Sequence, residues 1–196
     1  MMKAQKQKQP LLSKEELLIE NLLTFFSVSH NLKIFRDIAY EGKFVSLRLL
    51  DWFATNYSKA YQVWIHKTDI YKDYKQNLKG YKKQYFDPFC RRKRVYLRGK
   101  DFGIKSCVID ENHNKTLSLS YGHTSRNVEG CEEIQTTVGQ LNFFRWLIQK
   151  QVIKYILDNH NAIETHMGER KSTKKICESR CNTLQKKSMK FTIYFL

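Results

Sequence analysis

The N-terminal third of the chain places apolar residues at helical spacing. Ser13 and Glu16 have the form of a capping box, in which each side chain bonds to the backbone amide of the other residue. Apolar positions then recur every three or four residues to about Ser29, which predicts a first helix. Residues 46–59 show the same period and predict a second helix, whereas residues 34–44 fit either a helix or a strand.

The middle of the chain predicts one more helix and several strands. Residues 61–66 alternate apolar and polar side chains, as a half-buried strand does. Residues 70–85 have a helical period, and Asp87-Pro88 is expected to end that helix because proline disfavours helical backbone at the preceding residue. The remaining elements are a small antiparallel meander at residues 95–98, 104–109 and 116–121, a turn at residues 110–114, and a surface loop at residues 122–135.

The last third is dominated by one apolar helix. Thr137 and Gln140 repeat the capping-box spacing, and the apolar residues between Leu141 and Leu157 cover most faces of the helix that follows. A helix that is apolar on most faces is buried, so this segment predicts a long central core helix. Gly168 and the charged residues after it predict a loop.

Together these elements predict an α+β fold, because helices and strands follow one another in separate runs. The prediction comprises a helical N-terminal part, a small antiparallel meander, a long central core helix and a C-terminal strand. Residues 1–10 are expected to be a disordered basic arm and residues 11–196 a single domain. The chain is predicted to finish with a short basic helix at residues 171–186 and a strand at residues 190–196.

Charge is the compositional feature that bears most on function. The 196 residues include 35 Lys plus Arg against 19 Asp plus Glu, a formal net charge of +16. Hydrophobic residues make up 41% and can form a core, in which Trp52, Trp64 and Trp146 are expected to lie. Because such a charge opposes compaction, a polyanionic partner would stabilise the fold: nucleic acid, an anionic membrane surface or an acidic protein. The alternative is a lysine-rich composition inherited from an AT-rich genome.

The cysteines and the start of the chain bear on its compartment. Five Cys residues at irregular spacing are typical of free thiols in a reducing compartment. No apolar run is long enough to span a bilayer, and the polar start lacks the apolar core of a signal peptide. The sequence therefore predicts a protein of the cytoplasm or nucleus, or of a virion interior, that is not secreted.

The densest basic segment, residues 67–105, is the best candidate for binding nucleic acid. Cations attract phosphates, and interleaved aromatic side chains offer faces on which exposed bases stack. The alternative is that the tyrosines are core and the lysines form their solvated face. The cluster Arg91–Arg94 fits that alternative least. Four adjacent cations cannot all lie against the core, so at least some of them face solvent and are available to a phosphate. The predicted contacts are Arg91, Arg92, Lys93, Arg94, Arg98, Lys75, Lys79, Lys82 and Lys83.

Patterns typical of nucleases are faint. Asp37 followed by Glu41-Gly42-Lys43 is similar to the acidic residues and lysine of metal-dependent nucleases. Asn112-His113-Asn114 is similar to part of a His-Asn nuclease finger. Both triplets occur by chance in basic proteins. No phosphate-binding glycine loop or Gly-flanked nucleophile is present, so the sequence predicts no catalytic residue and no cofactor.

Metal binding has little support in the sequence. Cys177 and Cys181 are separated by three residues, and His160 and His166 precede them. A structural zinc site needs two matched pairs of ligands, and no such second pair is present. No metal site is therefore predicted.

Three segments share their order and spacing with a known group of proteins. They are SLRLLDWFATNYSK at residues 46–59, YFDPFCRR at residues 85–92 and TTVGQLNFFRW at residues 136–146. In these segments the chain resembles small basic proteins of nucleocytoplasmic large DNA viruses, the giant-virus assemblage. The resemblance covers about residues 44–196 and leaves residues 1–43 outside. It implies a viral protein tied to the genome, to late transcription or to the virion, and it implies no mechanism.

The sequence favours a non-enzymatic protein that binds DNA or RNA, mostly through sequence-independent phosphate contacts. A virion structural or scaffold protein that binds other viral proteins is the alternative from a different class. A metal-dependent nuclease with Asp37 or Glu41 as a ligand is the third hypothesis.

Overall fold

The computed structural model of the protein describes residues 13–100, 103–110, 115–118 and 132–169. Several predictions fall outside these residues and stay predictions. They concern the arm at residues 1–10, most of the turn at residues 110–114, the end of the third meander strand at residues 119–121, the surface loop over residues 122–131, the basic helix at residues 171–186, the strand at residues 190–196, and the side chains of Asn112, His113, Asn114, Cys177 and Cys181.

The first helices follow the predicted pattern closely. Helix α1, Lys14–Phe26, begins at the capping box: Ser13 N donates to Glu16 Oε2 over 2.9 Å, and Glu16 N donates to Ser13 Oγ over 3.2 Å. Helix α2, Ser29–Phe35, continues through one π-helical turn, Arg36–Tyr40. The segment that fitted either a helix or a strand is therefore helical as far as Tyr40.

The second helix, predicted at residues 46–59, is confirmed: the chain is helical over residues 47–60. Helix α3, Leu47–Trp52, starts at Ser46, whose side chain accepts a hydrogen bond from Leu49 N. It continues through a π-helical turn, Phe53–Tyr57, into the short helix α4, Ser58–Ala60.

A small hairpin separates these helices from the next one. Strands β1, Trp64–Ile65, and β2, Thr68–Asp69, pair antiparallel, so the strand predicted at residues 61–66 is shortened to two residues. Helix α5, Ile70–Tyr81, starts at Asp69, whose carboxylate accepts from Lys72 N over 3.0 Å.

Helix α5 ends earlier than predicted. Lys82 has a φ of 64°, in the left-handed region, and this conformation ends the α-helix before Asp87-Pro88 is reached. Only a single 3-10 turn, Lys83–Tyr85, follows. The prediction of a helix to residue 85 is therefore wrong in its last turn.

The four-stranded antiparallel sheet has the order β5-β4-β3-β6. Its strands are β3 (Arg94–Lys100), β4 (Gly103–Asp110), β5 (Lys115–Ser118) and β6 (Glu132–Thr137). The three strands of the predicted meander are confirmed, the third of them over residues 116–118, where the described part of that strand ends. The loop predicted over residues 122–135 is wrong at residues 132–135, which belong to strand β6. This segment is short and polar, and it becomes a strand only by pairing with β3.

The predicted long core helix is broken in two. Helix α6, Val138–Gln149, is followed by α7, Val152–Asp158, and Gln151 between them has a left-handed φ of 55°. Residues 160–169 are helical as well, so the loop predicted to begin at Gly168 is wrong at that position. Within the described part of the chain, no helix is both long and apolar enough to cross a membrane.

Helix α6 lies at the centre of the core. The rings of Phe144 and Phe35 meet edge to face with centroids 5.0 Å apart, and Phe143 and Phe86 do so at 6.0 Å. All four side chains are fully buried, and each contributes about 1.5–3 kcal/mol of hydrophobic stabilisation. Strand β6 leads directly into α6 and joins the sheet to the helices. The α+β prediction is confirmed.

The three tryptophans differ in their environments. Trp146 is buried and donates from Nε1 to Asp73 Oδ2 over 2.6 Å. Trp52 is half-buried and donates to His166 Nδ1 over 3.2 Å. Trp64 is 59% exposed, so its predicted place in the core is wrong: alternation along β1 turns Ile65 inwards and Trp64 outwards.

Candidate nucleic-acid interface

A shallow cleft opens beside the start of α6. It has a volume of about 480 Å³. One wall is the chain from Pro88 to Arg91, and the other is the end of β6 with Gln140 from the first turn of α6. Arg94, the first residue of β3, completes the lining. The cleft therefore joins the predicted basic segment to the third segment of the giant-virus resemblance.

A fixed turn presents Phe89 at the rim of this cleft. Phe89 N donates to Asp87 Oδ1 over 2.8 Å, and Cys90 N donates to Asp87 O over 3.2 Å. Pro88 is buried, whereas Phe89 is 51% exposed. Hydrogen bonds to Asp87 thus hold the backbone of the turn, and the Phe89 ring is left in contact with solvent.

The turn is clamped against the first turns of α6. A Cβ placed on Gly139 would lie 2.8 Å from Asp87 O and 3.1 Å from Gln84 O, so only glycine allows this approach. One helical turn later, the buried Asn142 donates from Nδ2 to Tyr85 O over 2.8 Å. These contacts fix the position of one wall of the cleft relative to the other.

The opposite wall is ordered by the N-cap of α6. Gln140 N donates to Thr137 Oγ1 over 3.2 Å, as the capping-box spacing predicted. The Gln140 side chain does not bond back to the cap residue, since its Oε1 accepts from Thr136 Oγ1 over 2.7 Å. Among the described residues nothing accepts a hydrogen bond from Gln140 Nε2, which leaves an amide donor at the cleft.

The predicted cluster Arg91–Arg94 is divided by the structure. Arg91, Arg92 and Arg94 are exposed, and among the described residues none of them has a carboxylate within ion-pair distance. Lys93 has a left-handed φ of 56°, and its Nζ lies 3.0 Å from Glu15 Oε1 on α1. Arg91 and Arg94 line the cleft, whereas Lys93 ties the segment to the helices.

The predicted lysine contacts lie on or just after α5. All four are exposed: Lys75, Lys79, Lys82 and Lys83. Lys83 Nζ lies 3.5 Å from Asp87 Oδ2, and Lys75 Nζ lies 5.6 Å from the centre of the Tyr71 ring. Arg98 is a residue of β3, and its side chain falls outside the described part of the chain.

The tyrosines of α5 and of the 3-10 turn after it face mostly inwards. Tyr74 is buried against Phe86, with ring centroids 5.8 Å apart, and Tyr81 and Tyr85 are half-buried. Burial, helped by the charges of Asp51 and Asp87, raises the pKa of Tyr74 to about 12. The alternative that these tyrosines belong to the core is therefore correct for Tyr74 and partly correct for Tyr81 and Tyr85.

An acidic pair that the sequence did not predict, Asp51 and Asp87, lies behind the turn. Burial, helped by the neighbouring charge of Asp87, raises the pKa of Asp51, on α3, from 3.8 to about 6. The only signal in the sequence is an aspartate between Leu50 and Trp52 in an apolar helix. Among the described residues no cation pairs with its carboxylate.

The nuclease candidates that lie within the described residues do not group into a metal site. Asp37, Glu41 and Lys43 do come together, but as an ion-pair network in which Lys43 Nζ lies 3.7 Å from Asp37 Oδ1 and also contacts Glu41. The hydrogen bond to Lys43 lowers the pKa of Glu41, and Arg36 pairs with that carboxylate over 3.2 Å. The lysine thus neutralises the carboxylates that a metal ion would need.

The two histidines are engaged separately. His160 Nδ1 lies 3.7 Å from Glu164 Oε2, while His166 accepts from Trp52. Among residues 13–100, 103–110, 115–118 and 132–169, no three His, Cys, Asp or Glu side chains are grouped to hold a metal ion.

Comparison with known proteins gives a family but no activity. The sequence matches the model of the family of unknown function DUF7197 over residues 2–113 and 113–192, so the chain belongs to this family. It is 32% identical over 180 residues to an uncharacterized protein of Acanthamoeba polyphaga mimivirus. That alignment covers 87% of this chain and 59% of the relative, so the chain spans less than two thirds of the relative's length. No solved structure matches.

These matches support a viral origin and agree with the resemblance to an uncharacterized giant-virus family. The family match corrects the extent of that resemblance. It includes residues 2–43, which the three quoted segments left outside.

Proposed function

We propose that this member of the DUF7197 family is a non-enzymatic protein that binds DNA or RNA, mainly through sequence-independent phosphate contacts. The observation that carries the proposal is the pair Arg91 and Arg94, which line an open cleft without a carboxylate partner among the described residues. Guanidinium groups bind phosphate oxygens in a bidentate manner, and a cleft gathers the field of both groups at one place.

The surrounding charge supports the same proposal. Arg92 and the exposed lysines of α5 and of the turn after it extend the positive surface away from the cleft. We include Arg98 and Lys93 in the interface on sequence grounds, although Lys93 is already paired with Glu15. The net charge of +16 adds long-range attraction for a polyanion, which speeds association and makes affinity fall with salt.

Replacing Arg91 and Arg94 together by glutamine is expected to weaken nucleic-acid binding at least tenfold near physiological salt. Loss of two phosphate contacts should also reduce the slope of log affinity against log salt by about 2. Fluorescence anisotropy with labelled single-stranded and duplex DNA and RNA, measured across a salt series, gives both quantities.

The matched control is the pair of substitutions Lys33→Gln and Lys154→Gln, which removes the same charge from exposed positions on α2 and α7. It is expected to change affinity less than threefold. Equal losses in the two double variants would contradict the cleft as the binding site, and no binding of the unmodified protein at low salt would overturn the proposed function.

The second candidate is a virion structural or scaffold protein that binds other viral proteins. It is favoured by exposed aromatic side chains away from the cleft, of which Phe44 is 69% and Trp64 59% exposed. Binding through these side chains would depend little on salt, whereas phosphate binding falls steeply with it. The same salt series therefore separates the two candidates.

A further inference from the structure

Phe89 combines exposure with a fixed backbone at the rim of the cleft. Its ring is 51% exposed, and its amide is held by the Asp87 carboxylate directly after the buried Pro88. Exposure of a large apolar side chain to water is unfavourable in the free protein. Its placement beside Arg91 and Arg94 puts an aromatic face and two guanidinium groups on one small surface.

We propose that the cleft holds one unstacked nucleotide of a single strand, with its base on Phe89 and its phosphates on Arg91 and Arg94. This inference rests on the proposed function and adds to it a preference for single-stranded over duplex nucleic acid. Base-to-aromatic stacking contributes about 1–3 kcal/mol per base and accepts every base, because each has a π face.

The other wall fits the same ligand. Gln140 offers its Nε2 donors at the cleft, since its Oε1 is already bonded to Thr136. Amide donors of this kind bond to the carbonyl and ring-nitrogen acceptors that an unstacked base exposes. The cleft volume of about 480 Å³ lies within the range of roughly 300–1,000 Å³ typical of small-ligand sites.

A duplex would use only part of this arrangement. In a duplex each base face is covered by its neighbours, so the arginines can reach phosphates while Phe89 finds no free face to stack on. The turn that carries Phe89 is clamped by Gly139 and by the Asn142 bond to Tyr85, so little conformational freedom is lost when a base binds.

The discriminating variant is Phe89→Ala, tested with a labelled twenty-nucleotide oligothymidylate and a labelled blunt-ended duplex of ten base pairs, which carry nearly the same number of phosphates. It is expected to weaken binding of the oligothymidylate about tenfold and binding of the duplex less than twofold. Phe89→Trp, which keeps an aromatic face, should retain the single-strand affinity. Phe44→Ala removes another exposed ring, outside the cleft, and should change neither affinity.

The outcomes separate this inference from the proposed function. Equal effects of Phe89→Ala on both ligands, or no effect on either while the unmodified protein binds both, would overturn the single-nucleotide cleft and leave phosphate binding intact. Failure of the unmodified protein to bind either ligand would overturn both proposals. Because Phe89 is exposed, its variants should keep the thermal unfolding midpoint of the unmodified protein, which circular dichroism measures.

A second readout reports stacking directly. An oligothymidylate with one 2-aminopurine changes its fluorescence when that base leaves its neighbours and stacks on an aromatic ring. The change is expected with the unmodified protein and with Phe89→Trp, and it should be lost with Phe89→Ala at saturating protein. A persistent change in Phe89→Ala would place the base elsewhere and contradict the inference.

Discussion

Gly139→Ala is expected to lower the free energy of unfolding by about 3 kcal/mol and to weaken nucleic-acid binding with it. The added methyl group would lie 2.8 Å from Asp87 O and 3.1 Å from Gln84 O. Both neighbours are backbone atoms, so no side-chain rotation relieves the contact, and the turn must move away from α6. Overpacking of this kind typically costs about 1–3 kcal/mol. The same movement would displace Phe89 and widen the cleft.

Gly80→Ala is the matched control, because Gly80 lies near the end of α5 and a Cβ there meets nothing within 4 Å. Alanine stabilises a helix by up to about 1 kcal/mol relative to glycine, so Gly80→Ala should be at least as stable as the unmodified protein. Urea unfolding followed by circular dichroism gives both free energies. Similar stabilities of the two variants would show that the turn does not pack on Gly139 as described.

Asp51→Asn is expected to stabilise the protein at neutral pH and to leave its stability unchanged near pH 4. The pKa of Asp51 is raised from 3.8 to about 6 in the folded state, so folding favours the protonated carboxyl. Stability is therefore lost as pH rises from about 4 through about 6, and the full cost is present above pH 6. A shift of this size corresponds to about 3 kcal/mol, which solvent screening at a partly buried site reduces to about 1–2 kcal/mol.

Urea unfolding at pH 4.5, 6 and 7.5 measures this difference between Asp51→Asn and the unmodified protein. Asp158→Asn removes an exposed carboxylate at the end of α7 and serves as the control. Asp87→Asn should reduce the effect in part, since the charge of Asp87 is the second cause of the raised pKa. A stability difference between Asp51→Asn and the unmodified protein that stays constant with pH would contradict the burial of this carboxyl.

The acidic pair also bears on the interface. Asp87 holds the Phe89 amide and pairs with Lys83, so it both shapes the turn and neutralises one of the predicted phosphate contacts. The candidate site is therefore not a uniform basic surface. Among the described residues, Arg91, Arg92 and Arg94 have no carboxylate within ion-pair distance, and neither do Lys75, Lys79 and Lys82 on the adjoining surface.

The basic part of the candidate site was predictable from the sequence, because it depends only on which residues follow one another along the chain. The cation-rich segment is a property of composition along the chain, and it includes Arg91 and Arg94. Its division was not predictable, since Lys93 turns inwards to Glu15, which lies far away in the sequence. The role of Gly139 was not predictable either. A glycine in a helix can be recognised as the site of a close backbone contact only when the position of the neighbouring segment is known.

The features predicted correctly from the sequence depend on neighbours within one helical turn or on alternation along a strand. The capping box at Ser13 and the N-cap at Thr137 set the starts of α1 and α6, and apolar periodicity set the helices and the meander. Strand β6, the break at Gln151 and the cleft became apparent only in the folded structure. These features rest on pairing, packing and loss of solvent between segments distant in sequence, which no local pattern records.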